Sequence, residues 1–209
     1  MTGSYRLYGR RGSGSACIEA ALAECGVPFE FVEVPRAPES EGMRALVALN
    51  PRGQVPVLIL PDGSAVTEST AILFHIADAH PESRLAPEPG SFARAHHDRW
   101  LLFLQANNYE AALRYFYPDR YTTAPGGADG VKDAARDYIL RHFGLVESAM
   151  ADGSYPVGPE LTLADIYLWM LFNWHPADFF GERFPRISAL AARVAARPAI
   201  APIHRLNNG

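Results

Sequence analysis

The stretch from Asn50 to Asp78, NPRGQVPVLILPDGSAVTESTAILFHIAD, sets the terms for the rest of the chain. A loop runs into Val55-Pro56. Val57–Leu60 then reads as a strand, because a proline with no N–H to give is tolerated where a strand begins. Pro61-Asp62-Gly63-Ser64 has the chemistry of a hairpin turn. Ala65–Thr67 follows as a second short strand, and Ser69–Ala79 as a helix with Ile72, Leu73 and Ile76 on one face. The residues upstream read as the first half of the sheet that this segment completes, and those downstream as a helical body.

Upstream, Tyr5–Tyr8 is a short strand and GRRGSGS (Gly9–Ser15) a Gly/Ser-rich turn. Ala16–Cys25 is an Ala-rich helix with Ile18 and Leu22 at helical spacing, closed by Gly26 in the C′ role and barred from continuing by Pro28. Phe29–Val34 alternates apolar and acidic residues, a strand with one buried face, and Glu39–Leu49 is a short helix. The order β-α-β-α implies a parallel sheet with crossover helices. His80–Gly90 holds three prolines and several charges and reads as a linker. Beyond it the pattern is helical throughout. Phe92–Tyr117 is one long stretch, and Val131–Met150, the very apolar Leu163–Trp174 and Pro185–Arg197 follow; the tail RLNNG is expected to fray. The domains expected are therefore residues 1–80, a linker over 81–90, and an all-helical domain over 91–209.

Composition removes several classes of function. A formal charge of −4 gives no electrostatic case for nucleic acid or an anionic membrane surface. No apolar run has the length of a signal peptide or a membrane helix. Cys17 and Cys25 fall eight residues apart in one predicted helix, about 12 Å along its axis, too far for a disulfide. Two reduced thiols point to a reducing, cytoplasmic setting. The seven histidines form no HExxH pattern, no metal site is expected, and no GxSxG marks a hydrolase.

Three short constellations can carry chemistry. A cis Val55-Pro56 bond would turn the Val55 backbone outward to pair with an extended peptide, although a trans proline opening a strand serves the residues as well. Ser69 opens a helix, where a hydroxyl and backbone N–H groups bind a carboxylate, and Glu68 beside it can accept an amine; a plain N-cap explains Ser69 equally. Gly12-Ser13-Gly14-Ser15 opens the first helix. There the dipole (up to about 2 kcal/mol) and a charged hydrogen bond (about 1.5–3 kcal/mol) together cover the roughly 2.7 kcal/mol needed to lower a thiol pKa by about two units. A flexible turn with a serine cap is the rival there, and a phosphate cradle is disfavoured by the missing P-loop lysine. Trp169, Phe172, Trp174, Phe179 and Phe180 suit a bundle core, while Tyr109, Tyr115 and Tyr117 can line an apolar cavity.

Taken together, the motifs resemble the cytosolic-type, bacterial glutathione S-transferase family over nearly the whole chain. NPRGQVPVL is similar to its loop and cis-proline strand, DGSAVTESTAILFHIAD to its Glu-Ser motif and following helix, and LTLADIYLW to its buried capping box. In the last, Thr162 is the N-cap, Asp165 its partner, and Leu161 with Ile166 the staple. The resemblance implies an α+β thioredoxin-like domain (β-α-β-α-β-β-α) followed by an all-α helical bundle. It implies glutathione as co-substrate, a small hydrophobic electrophile as second substrate, and a homodimer. Val55 and Pro56 would meet the cysteinyl part of glutathione, Glu68 and Ser69 its γ-glutamyl end, and Gln54 the glycyl end, with Arg36 or Arg52 adding charge. Tyr109 and Trp174 would line the second-substrate pocket. The family's bacterial cysteine falls on Gly14, so the implied thiolate donor is Ser13, with Ser15 second and Tyr8 third. Isomerase, dehalogenase and disulfide-reductase relatives share these motifs, as do transferase-like binding or regulatory proteins.

Overall fold

The computed structural model of the protein describes residues 4–150 and 155–208. Two compact units emerge: residues 1–89 together with 193–209, and residues 90–192. The C-terminal segment thus groups with the N-terminal sheet and not with the helices that precede it.

The first unit is built on a four-stranded sheet in the order β2-β1-β3-β4, with β1 at Tyr5–Gly9, β2 at Phe29–Glu33, β3 at Val57–Ile59 and β4 at Ala65–Thr67. The helices are α1 (Ser15–Glu24), α2 (Glu41–Leu49) and α3 (Ser69–Ala79). The parallel arrangement expected from the element order holds only for β1 and β2, joined through α1. β3 runs antiparallel to β1, and β4 antiparallel to β3, so the sheet is mixed. The reason lies in where β3 enters. Val57 pairs with Tyr8, so the chain returns beside the end of β1 and travels back along it.

The alternation of side chains across the pleat gives the sheet two cores. On one face, Val57 and Ile59 pack with Val34 and with Leu46 of α2, and Tyr8, Met43, Leu49 and Val55 close over them. On the other, Leu7 and its cross-strand partner Leu58 are fully buried. There α1 lies against β1 and α3, and Ile18 and Leu22 of α1 and Ile72, Leu73 and Ile76 of α3 are fully buried. β2 is an edge strand, and Phe29, Phe31 and Val32 stay half-buried instead of forming a fully buried face. The Arg11 guanidinium covers Phe31 at 3.9 Å from the ring centroid.

The second unit contains α4 (Phe92–Phe103), α5 (Glu110–Phe116), α6 (Ala128–Ala149), α7 (Leu163–Asn173), α8 (Ala177–Phe180) and α9 (Pro185–Ala195), the last running into the first unit from Arg193. α7 is buried from Leu163 to Leu171 and forms the centre of its unit. Its start carries the expected capping box: the Thr162 N–H and hydroxyl both donate to Asp165 Oδ2, at 2.6 and 2.8 Å, and Leu161 and Ile166 are both buried. The long helix expected over Phe92–Tyr117 is interrupted: residues Leu104–Tyr109 are wound as a π-helix between α4 and α5. Such widened turns are frequent at functional positions.

The C-terminus departs from expectation. The tail RLNNG does not fray within the described residues; α10 spans Ala201–Asn208. Pro202 sits in its first turn, where the missing N–H costs nothing, and Ile203 is buried. Arg197, just before it, forms a two-pronged pair with Glu24 of α1, at 2.8 and 2.7 Å, which fastens the segment to the sheet unit.

Candidate functional site

Strand register brings the three constellations to one end of the sheet. β1 ends at Gly9 and leads into Arg10–Ser15. Pairing of Tyr8 with Val57 sets Val55-Pro56 beside that end, and pairing of Val57 with Thr67 sets Glu68-Ser69 beside it on the other side. The N-termini of α1 and α3 both open there, so the positive ends of two helix dipoles favour negative charge at the same end.

The Val55-Pro56 peptide is cis. Val55 lies outside the ladder, which begins at Val57, so its backbone polar groups are not used by the pairing of β3 with β4. The loop before it is organised by Asn50, a residue that motif reading did not single out. Asn50 is buried, its amide donates to the Gln54 carbonyl at 2.8 Å, and its Oδ1 accepts from the Arg52 N–H at 3.2 Å. Gln54 itself is exposed.

Glu68 has φ +65°, a region that costs a non-glycine residue about 1–3 kcal/mol. The conformation leaves its side chain half exposed, 2.8 Å from the Arg52 guanidinium. Ser69 follows as the first residue of α3 and is buried. Arg36 lies exposed in the loop between β2 and α2.

The GRRGSGS turn is held at many points. Gly9 is closely packed: a Cβ there would stand 2.7 Å from Phe31 Cε2 and 2.8 Å from Ser15 Cβ, so no larger residue fits where β1 ends. The Gly9 carbonyl accepts from Val34 N–H at 2.8 Å, and Arg10 Nε donates to the Val34 carbonyl at 2.9 Å. Arg11 bridges to Glu19 and, at 3.9 Å, to Glu33. Ser13 is partly exposed, and its hydroxyl donates to the Arg10 carbonyl at 2.5 Å and lies 3.1 Å from Ser15 Oγ. Ser15 is almost fully buried and accepts from the Arg10 N–H at 3.3 Å. Tyr8 belongs to the α2 face of the sheet, packed on the Val34–Leu46–Val57–Ile59 cluster. Cys17 is fully buried, its thiol donates to the Gly14 carbonyl at 3.1 Å, and burial pushes its pKa up, so it is inert at neutral pH. Burial likewise raises the Cys25 thiol.

In the second unit Tyr109 closes the π-wound segment and meets Trp174 edge to face, with ring centroids 4.9 Å apart. Both are half-buried. Phe172, half-buried, stacks at 4.8 Å on the buried Phe180 beside Phe143. Asn108, next to Tyr109, is buried with neither amide atom hydrogen-bonded to another described residue. An unsatisfied buried amide costs about 1–3 kcal/mol. Asn108→Leu is therefore expected to raise the thermal midpoint, by about 2–4 °C for each kcal/mol recovered, read by calorimetry; a lowered midpoint would show that the amide is satisfied. Among the described residues no group of three or more His, Cys, Asp or Glu could hold a metal, and no helix is long and apolar enough to cross a membrane.

With this geometry in hand, comparisons with known proteins converge. Residues 17–79 match the glutathione S-transferase N-terminal domain and residues 111–202 the C-terminal domain. The chain is 31% identical to an uncharacterized GST-like protein, YncG, of Escherichia coli K12, over 97% of this chain and 98% of that one. It is 28% identical to glutathione S-transferase GstA of Escherichia coli O157:H7, over 93% and 94%. A sphingomonad glutathione S-transferase complexed with glutathione superposes with a TM-score of 0.81 at 31% identity, covering 96% of this chain and 97% of that one.

Proposed function

Since the chain belongs to the glutathione S-transferase family, we propose that it binds glutathione at the shared end of its sheet and activates the thiol for attack on a small hydrophobic electrophile. The observation that carries this reading is the convergence of Val55-Pro56, Glu68-Ser69 and the Ser13 turn through strand register. An extended tripeptide pairs its cysteinyl backbone with Val55. Its γ-glutamyl ammonium meets the Glu68 carboxylate, and the neighbouring carboxylate meets Ser69 and the first N–H groups of α3. Gln54 and Arg36 serve the glycyl end. The sulfur then falls to Ser13, the partly exposed hydroxyl of the turn. Thiolate attack forms the carbon–sulfur bond while the leaving group departs with its electron pair, and the thiol proton goes to solvent. The apolar faces of Tyr109 and Trp174 suit the electrophile, and the enzyme acts as a homodimer.

Glu68 gives the direct test. Without ligand it pairs with Arg52, but both side chains are more than half exposed, so that pair is worth about 0–1 kcal/mol and yields readily to an ammonium held in place by the rest of the ligand. Titration of tryptophan fluorescence with glutathione should saturate in the wild type and shift to about 10-fold weaker binding in Glu68→Gln, the loss of one charge-assisted hydrogen bond. No saturation in the wild type at millimolar glutathione would reject the reading. Unaltered affinity in the variant would reject Glu68 as the ammonium acceptor.

A further inference from the structure

The geometry points to Asn207, near the end of the last helix, as a positioning residue for the turn that carries Ser13. The proposal rests on the reading of Ser13 as thiolate donor, and it concerns a residue 195 positions from the backbone it holds.

The Gly12 N–H donates to Asn207 Oδ1 at 2.9 Å. Gly12 has φ +66°, which an L side chain rarely adopts, and it directly precedes Ser13. A turn with glycines at 12 and 14 has wide conformational freedom unless something outside it fixes the backbone. The two arginines fix its first half against β2 and Val34. At Gly12 the backbone amide is fixed by Asn207 alone among the described residues.

The Asn207 amide is itself locked. Its Nδ2 donates to the Ile203 carbonyl one turn back at 2.9 Å and lies 3.5 Å from Glu19 Oε2. A flipped amide would set Nδ2 against the Gly12 N–H and Oδ1 against a carbonyl, two mismatches, so only one orientation satisfies every partner. Glu19 is buried and also pairs with Arg11, so one carboxylate on α1 ties the residue before Gly12 to the side chain that holds Gly12. α10 does not depend on the turn for its place: Arg197 is anchored to Glu24, and Ile203 is buried. A fixed helix thus presents a fixed acceptor to the Gly12 amide, at the point of the turn where the backbone has positive φ. The distance from a hydroxyl to a sulfur must hold within about 0.5 Å for a charge-assisted bond to form each time a ligand binds. Asn207 touches neither glutathione nor the reacting atoms in this scheme and acts only through the Gly12–Ser13 backbone.

The test uses the enzyme with Asn207→Ala, and Asn208→Ala as control, an exposed neighbour whose side chain bonds, among the described residues, to His204 alone. The pKa of bound glutathione is read from thiolate absorbance against pH, kcat and the KM for glutathione from steady-state conjugation, and Gly12 amide protection from hydrogen exchange. Asn207→Ala should raise the thiol pKa, lower kcat about 5-fold with KM within about 2-fold of wild type, and expose the Gly12 amide. Asn208→Ala should match wild type in all three. Asn207→Asp should behave like the alanine variant, because its carboxylate faces the Ile203 carbonyl and Glu19. Wild-type thiol pKa and kcat in Asn207→Ala would overturn the proposal, as would a parallel change of kcat and KM accompanied by a lowered thermal midpoint. Ser13→Ala in the same series separates the two ideas. If it too leaves the thiol pKa unchanged, the Ser13 reading has failed and this proposal with it. If it raises the pKa while Asn207→Ala does not, only the positioning role has failed.

Discussion

Ser13→Ala is expected to lower kcat/KM for conjugation of glutathione to a chloronitroaromatic by about 10–30-fold at neutral pH. A hydrogen bond to a charged group contributes about 1.5–3 kcal/mol, and each 1.36 kcal/mol is tenfold in rate. The lower part of that range applies because the Ser13 proton is already engaged by the Arg10 carbonyl at 2.5 Å, and that bond is given up when the hydroxyl turns to a thiolate. The defect should shrink as pH rises, since a thiol with a raised pKa still ionises in alkaline solution and the wild type no longer gains from its lower value. Ser15→Ala should cost less than about 3-fold. Its side chain is buried and serves the turn, accepting from the Arg10 N–H. Wild-type turnover in both variants across pH would remove both serines from the chemistry. A large effect at Ser15 alone would exchange their roles.

Ser13 and Ser15 cannot be ranked by spacing, which shows how far the sequence reaches. Both flank Gly14 at the start of α1, and it is burial and hydrogen-bond partners that separate them. Where local chemistry decides, reading by residue is sharp: Pro61–Ser64 and the alternation around it mark β4 and the first residue of α3 at their observed positions. The α7 capping box is equally local, its partners three residues apart. The mixed sense of the sheet is not local, because it depends on which end of β1 the chain returns to. The π-wound turn at Leu104–Tyr109 leaves no mark on a helical periodicity. α10 was hidden by a polar tail and a proline, although Ile200 and Ile203, both buried, are spaced as one helical face. At the candidate site the motif residues announce themselves, but those that shape it do not. Asn50, Arg10 and Asn207 act on backbone groups, and Asn207 does so from the far end of the chain. Hydrogen bonds to peptide groups demand no particular residue type in the partner, so no pattern in the sequence betrays them.

The stability of the second unit should fall by about 3 kcal/mol as pH drops from 6.5 to 4, and His175→Phe should abolish that part of the loss. His175 is buried in an aromatic cage: it stacks on Phe179 at 4.3 Å and Phe116 at 5.3 Å, with Tyr115 and Phe180 edge-on. Burial pushes its pKa down from 6.5 to about 4. Its Nδ1 has no partner among the described residues, so a second proton would sit without an acceptor. The folded state therefore binds this proton more weakly than the unfolded chain does. The contribution is fully present above pH 6.5 and is lost as pH falls toward 4; at about 1.36 kcal/mol per pKa unit the difference comes to about 3 kcal/mol. Phenylalanine keeps a planar ring in the cage and cannot titrate. Urea unfolding at a series of pH values, taken as the difference between wild type and variant, removes the carboxylates common to both. A difference that widens by about 3 kcal/mol between pH 6.5 and 4 is the expected result. Parallel curves would mean that His175 takes up its proton within the cage without penalty, and that the rings or a rearranged α8 stabilise the cation.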